Sequence, residues 1–172
     1  LQDAQRAMSL VRYNAAAWGI NPDRIGVMGF SAGGNLAVLS STAFASRTYT
    51  PADAADAVSL RPDFVIPVYA GHMTMEHKNL RPKDSPAARA LNPDIVVSAA
   101  VPPTLLIHAK DDAVDPVEYS EVYDQALREV GANVTLIRYE TGGHAFGVRR
   151  KGTDSDRWTQ DAMRWLDDIG MR

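Results

Sequence analysis

The stretch Gly29-Phe30-Ser31-Ala32-Gly33 constrains this chain more than any other. It follows a short apolar run, Arg24-Ile25-Gly26-Val27-Met28, and precedes the small-residue segment Gly34-Asn35-Leu36-Ala37-Val38-Leu39. That order predicts a strand, a tight turn and a helix, with a serine at the tip of the turn. In this setting G-x-S-x-G is a nucleophile elbow. The backbone around the serine is crowded, and glycines two before and two after it remove side chains that would clash. The hydroxyl is held above the sheet edge at a helix N-terminus, which favours developing negative charge.

Two partners for the serine lie downstream. The apolar run Thr104-Leu105-Leu106-Ile107-His108-Ala109 leads into Lys110-Asp111-Asp112-Ala113-Val114-Asp115-Pro116. A carboxylate just past a strand end sits where binding loops cluster. The strand-like Asn133-Val134-Thr135-Leu136-Ile137-Arg138-Tyr139 leads into Thr141-Gly142-Gly143-His144-Ala145-Phe146-Gly147. The order Ser, Asp, His differs from that of two other well-known serine protease folds. Each residue also has a plainer reading. Ser31 is a favoured N-cap for a helix over 32–45. Asp111 reads as a solvated loop charge, and His144 as a loop histidine bonded to backbone. Asp115 reads as a structural cap, because Pro116 follows it and Glu118 completes a D-x-x-E box. Order and strand context together favour a triad built on Ser31 and His144.

With these residues in view the chain resembles the C-terminal two thirds of an α/β-hydrolase. It is most similar to the small esterases and lipases that include acetyl-xylan-type carbohydrate esterases, and more distantly to prolyl-oligopeptidase-like hydrolases. The resemblance is carried by Asp3-Ala4-Gln5-Arg6-Ala7, Trp18-Gly19-Ile20-Asn21-Pro22-Asp23-Arg24-Ile25-Gly26, the elbow from Gly29 to Gly34, Pro102-Pro103-Thr104, Asp112 to Pro116, and Gly142 to Gly147. It implies an acid in a D-x-V-x-P or D-x-x-V-P pattern. Asp112 fits, four residues past His108, with Val114 two on and Pro116 four on; Asp111 is the competitor.

The implied chemistry is serine-dependent hydrolysis of short-chain carboxylic esters, acetylated sugars among them, with no cofactor and no metal. Ser31 attacks, His144 moves the proton and Asp112 orients the imidazole. The N–H of Ala32 supplies one oxyanion donor. The family's other donors come from a glycine-rich loop after an earlier strand, and no such loop is legible in these residues. The resemblance therefore implies one incomplete hydrolase domain over 1–172, its N-terminal strands absent. It also leaves strand 24–29 as an edge, to be covered by a preceding segment or by another copy in a homo-oligomer. A prolyl-oligopeptidase-like peptidase and a poorly active binding or assembly module are the alternatives.

Bulk properties narrow the partners. The 172 residues suffice for one domain with a sizeable core. The net charge of −3, from 18 basic and 21 acidic residues, leaves no electrostatic footprint for nucleic acid. Cysteine is absent, which excludes disulfides, thiolate nucleophiles and zinc–thiolate sites. No apolar stretch approaches the ~18 residues of a membrane span. No signal peptide is legible, and the compartment stays open between cytoplasmic and secreted.

The remaining pattern predicts a helix over 2–18 with Ala4, Ala7, Met8, Val11, Ala15 and Trp18 on its apolar face. Strands follow at 24–29, 64–69, 104–109 and 133–139. Helices follow at 32–45, 117–130, stopped by Gly131, and 155–169. Residues 46–62 read as a loop with a turn of helix, and 71–101 as an irregular excursion. His72 and His77 in that excursion are poorly spaced for a metal and read as surface or pocket-lining residues. His108 reads as structural. The alternation of strands and helices predicts a mostly parallel sheet with helices on both faces.

Overall fold

Apolar runs that alternate with amphipathic helices have one economical arrangement, a parallel sheet buried on both faces. The computed structural model has that arrangement, and it describes residues 1–75 and 89–172. Four parallel strands lie in the order β1 (Val27–Phe30), β2 (Val65–Val68), β3 (Thr104–Ala109), β4 (Val134–Tyr139). The register sets Val27 opposite Val65, Val65 opposite Thr104, and Thr104 opposite Val134. The two central strands are buried along their whole length. Of the excursion over 71–101, only 71–75 and 89–101 are described; His77 lies outside the described residues.

Side chains alternate across the sheet. Ile66, Val68, Leu105 and Ile107 face Trp158, Ala162 and Trp165 of α5 (Trp158–Asp168). Leu106 faces Val38 of α3 (Ala32–Thr42) and Tyr119, Tyr123 and Leu127 of α4 (Glu118–Glu129). Helices thus cover both faces. The stop after α4 is as expected: Gly131 has φ 74°, and the N–H groups of Gly131 and Ala132 return to the carbonyls of Arg128 and Leu127.

Several boundaries differ from the sequence reading. The helix expected over 2–18 is two, α1 (Gln2–Tyr13) and α2 (Ala15–Trp18). Asn14 interrupts them because its side-chain amide and its backbone N–H both bond the Leu10 carbonyl. Trp18 is consequently 56% exposed, not part of an apolar face. Ala7 is exposed too, and the buried stripe carries Gln5 and Ser9 beside Met8. Gln5 earns that place by bonding backbone groups of Ala43, Ser46 and Thr48.

Strand β1 begins at Val27, not at residue 24. Ahead of it the Asp63 carboxylate takes the Ile25 N–H, and the Ile25 carbonyl keeps a backbone partner there, the Asp63 N–H. Helix α3 ends at Thr42, three residues early. The hydroxyls of Ser40, Ser41 and Thr42 bond carbonyls of the preceding turn, which loosens the last turn. The loop over 46–62 does hold one short helical turn, Ala54–Ala57. Arg6 and Arg47 both pair with Asp56 there and clip the loop to α1. Among the described residues β1 pairs only with β2, and its Met28 and Phe30 are partly exposed.

Candidate active site

The loops that follow β1, β3 and β4 meet above the C-terminal edge of the sheet. The turn after β1 is as sharp as its glycines imply. A Cβ on Gly29 would lie 1.9 Å from the Gly33 carbonyl oxygen, and one on Gly34 would lie 2.8 Å from the Ala70 Cβ. A Cβ on Gly33 meets nothing within 4 Å, so the second glycine required by the crossing is Gly34 and not Gly33 as the motif implied. Ser31 sits between them at φ 53° and ψ −123°. A serine held at positive φ costs roughly 1–3 kcal/mol and persists only where its surroundings impose it. Here they do: the Ser31 N–H bonds the Val68 carbonyl, and the Ser31 carbonyl accepts from Gly34, Asn35 and Gly71. The Ser31 side chain does not cap α3.

The structure brings Ser31, Asp112 and His144 into one line. His144 Nε2 lies 3.0 Å from Ser31 Oγ, and His144 Nδ1 lies 2.8 Å from Asp112 Oδ2. Asp112 is fully buried at its side chain. Burial alone would raise its carboxyl. The hydrogen bonds from His108, from His144 and from the N–H groups of Val114 and Asp115 outweigh burial and bring it down to about 2. Asp111 points elsewhere and accepts from the Gly142 and Gly143 N–H groups at 3.2 and 2.7 Å. It anchors the histidine loop without touching the imidazole.

His108 is wholly buried, as a structural residue should be. Its Nε2 lies 2.8 Å from the Asp115 carbonyl, which can only accept, so Nε2 carries the proton. Its Nδ1 then accepts from the Ser120 hydroxyl at 2.8 Å. His108 thereby fastens the acid loop to α4.

Two residues of the site escaped the sequence reading. Asp115 is not the cap of α4, which starts at Glu118 with Val117 before it and no side-chain cap. Its carboxylate turns the other way, 3.4 Å from Ser31 Oγ and 3.7 Å from His144 Nε2. The signal was in the motif, for Asp115 holds the place of the valine in D-x-x-V-P. Tyr69, with φ 38°, directly follows β2 and sets its ring edge-on to His144 at 5.1 Å and to Phe146 at 4.6 Å. Burial raises the Tyr69 phenol above its ordinary value.

The Ala32 N–H opens α3 and so has no partner within the helix. The loop after Tyr69 turns at His72, φ 56°, and its Gly71 N–H is taken by the Ser31 carbonyl. The His72 carbonyl accepts from Asn35 and Asn92. Among the described residues no group of His, Asp or Glu is gathered as a metal site, and no helix is long and apolar enough to cross a membrane. A cleft of about 480 Å³ between β4 and α5, lined by Ile137, Arg157, Asp161 and Trp165, is remote from the triad.

A parallel sheet with a strained serine turn after one strand, an acid after the next-to-last and a histidine after the last is an α/β-hydrolase fold. Residues 2–170 match the prolyl oligopeptidase family, and the chain belongs to that family. It is 32% identical to the acetylxylan esterase of Xylanibacter ruminicola over 97% of its own length and 35% of that protein's. The acetyl ester-xyloside bifunctional hydrolase of Caldicellulosiruptor lactoaceticus superposes with a TM-score of 0.80 at 32% identity, over 98% of this chain and 65% of that one. MGS-M1, an α/β hydrolase from a deep-sea metagenome, superposes at 0.73 and 24% identity over 97% and 63%, a likeness of fold alone. The chain spans about a third of the length of the curated relative.

Proposed function

We propose that this site hydrolyses short-chain carboxylic esters, acetylated sugars among them, through an acyl-enzyme on Ser31. The carrying observation is the unbroken line Asp112–His144–Ser31, with contacts of 2.8 and 3.0 Å. A serine hydroxyl is a weak nucleophile until an adjacent base takes its proton. His144 Nδ1 donates to Asp112, which leaves Nε2 free to accept from Ser31 Oγ. Attack on the ester carbonyl passes that proton to Nε2, and the imidazolium gains the buried charge of Asp112. Nε2 then gives the proton to the departing alcohol, and water repeats the sequence on the acyl-enzyme. The Ala32 N–H, unpaired within α3 at its first turn, is the donor this reading assigns to the tetrahedral oxyanion.

The names of the relatives, an acetylxylan esterase and an acetyl ester-xyloside hydrolase, support the ester reading. The family's name favours a second one, cleavage of a prolyl peptide bond. The test uses p-nitrophenyl acetate, a fluorophosphonate probe and an Xaa-Pro amide. Wild type should turn over the acetate and take the label, and Ser31→Ala should lose both. An unlabelled, inactive wild type sinks the proposal. Cleavage of the amide in preference to the acetate transfers the triad to the peptidase reading.

A further inference from the structure

Asp115 is a second carboxylate at the nucleophile, and the triad has no use for it. It cannot act as an oxyanion donor, because an ionised carboxylate only accepts. It cannot orient His144, since Asp112 already holds Nδ1. Its charge lies 3.4 Å from Ser31 Oγ, whereas the negative charge of the tetrahedral intermediate grows on the ester carbonyl oxygen. The group is nevertheless fixed with care. Its N–H bonds Asp112 Oδ1 at 2.9 Å, its carbonyl accepts from His108, and its carboxylate lies against the bare Cα of Gly71, where a Cβ would come within 2.8 Å of it. Its side chain is 15% exposed, whereas that of Asp112 is sealed.

The position of Asp115 relative to Nε2 says what it faces. Nε2 must approach the leaving oxygen to within hydrogen-bond distance, about 3 Å. Asp115 Oδ2 lies 3.7 Å from the same nitrogen. The leaving oxygen therefore comes within about 7 Å of this carboxylate, a gap that a hydroxyl on the next carbon spans when it turns toward Asp115. We infer that Asp115 selects the alcohol half of the ester, accepting a hydrogen bond from a hydroxyl beside the scissile oxygen and rejecting alcohols that carry a carboxylate there. The inference rests on the ester reading above and narrows it to esters of polyols. The charged and titratable groups that face Asp115 are His144, Asp112, His72 and His108. Burial raises its carboxyl above the ordinary value, with His144 pulling the other way.

The experiment compares kcat/KM on three acetates, each relative to p-nitrophenyl acetate: 2-hydroxyethyl acetate, 2-methoxyethyl acetate and O-acetylglycolate. Wild type should prefer the hydroxyl over the methyl ether and turn over O-acetylglycolate poorly. Asp115→Asn should shrink the hydroxyl preference about 5-fold and raise the relative rate on O-acetylglycolate about 10-fold. That gain is not available to a residue with a purely structural part. Asp115→Val, which removes both charge and acceptor, should move both ratios the same way and serves if the Asn variant does not fold. Ratios unchanged in both variants, with p-nitrophenyl acetate still cleaved, overturn the inference and leave the triad standing. Absence of turnover and of fluorophosphonate labelling in wild type overturns both.

Discussion

Asp111 and Asp112 adjoin in sequence, yet only one of them meets the imidazole. Asp112 takes His144 Nδ1, His108 and two backbone N–H groups in a sealed site, while Asp111 stands in solvent and holds two glycine N–H groups of the histidine loop. Asp112→Asn should therefore lower kcat by about four orders of magnitude, the usual result of a wrongly held imidazole tautomer. Asp111→Asn should cost far less, about 10-fold, since the loop keeps its other ties. Steady-state rates on p-nitrophenyl acetate decide between them, and a larger loss at Asp111 would reverse the assignment. That Ser31, Asp112 and His144 come together was legible because each follows an apolar run in a set order. Asp115 was misread because D-P-x-E before a helix satisfies a capping pattern as well as a site residue does. Which way that side chain turns depends on Gly71, more than forty residues away in sequence, and no local pattern contains it.

The strand–turn–helix from β1 to α3 is the element on which the site depends, and its glycines are not equivalent. Gly29 faces the Gly33 carbonyl at a separation no Cβ can occupy, Gly34 faces Ala70, and Gly33 faces open space. Gly29→Ala should destabilise the fold by about 3 kcal/mol or more, and Gly34→Ala by about 1–3 kcal/mol, because backbone and a packed alanine must move. Gly33→Ala should leave stability unchanged or raise it by up to about 1 kcal/mol, the helix-propensity gain of alanine. Each 1 kcal/mol moves the melting temperature by roughly 2–4 °C in a chain of this size. A thermal scan in which Gly33→Ala melts as early as Gly29→Ala would refute this account of the turn. Element types and order were readable from hydrophobic periodicity. Boundaries were not, where side chains compete with backbone: Asn14 splits the first helix, Ser40 to Thr42 end α3, and Asp63 delays β1.

Across the whole molecule, two carboxylates far apart in the fold fasten loops to the sheet and helices. Asp112 joins the ends of β3 and β4 through His144 and its own loop. Asp56 joins α1 to the 46–62 loop through Arg6, Arg47, Tyr49 and the Ala52 N–H. Burial acts to raise both carboxyls, and in both the donors prevail. Asp112 falls from 3.8 to about 2, and Asp56 is held well below the ordinary carboxylate range by the Ala52 N–H, Tyr49 and the two arginines. The sign follows from linkage. A carboxyl whose folded value lies below its unfolded value binds its proton more readily when unfolded, so acid favours unfolding. The stability that these two groups supply is complete above about pH 5 and is lost as the pH falls through 4 toward the depressed folded values. The urea midpoint of the wild type should therefore drop steeply between about pH 5 and about pH 3. Asp56→Asn should start lower at neutral pH and show a shallower drop, because the group that takes up the proton is gone. Asp56→Asn leaves the triad intact, so any active folded fraction should keep wild-type kcat on p-nitrophenyl acetate. An Asp56→Asn profile parallel to wild type down to about pH 3 would show that Asp56 contributes nothing to acid lability, and would leave it to Asp112 and the other carboxylates held low, Asp53 and Asp156.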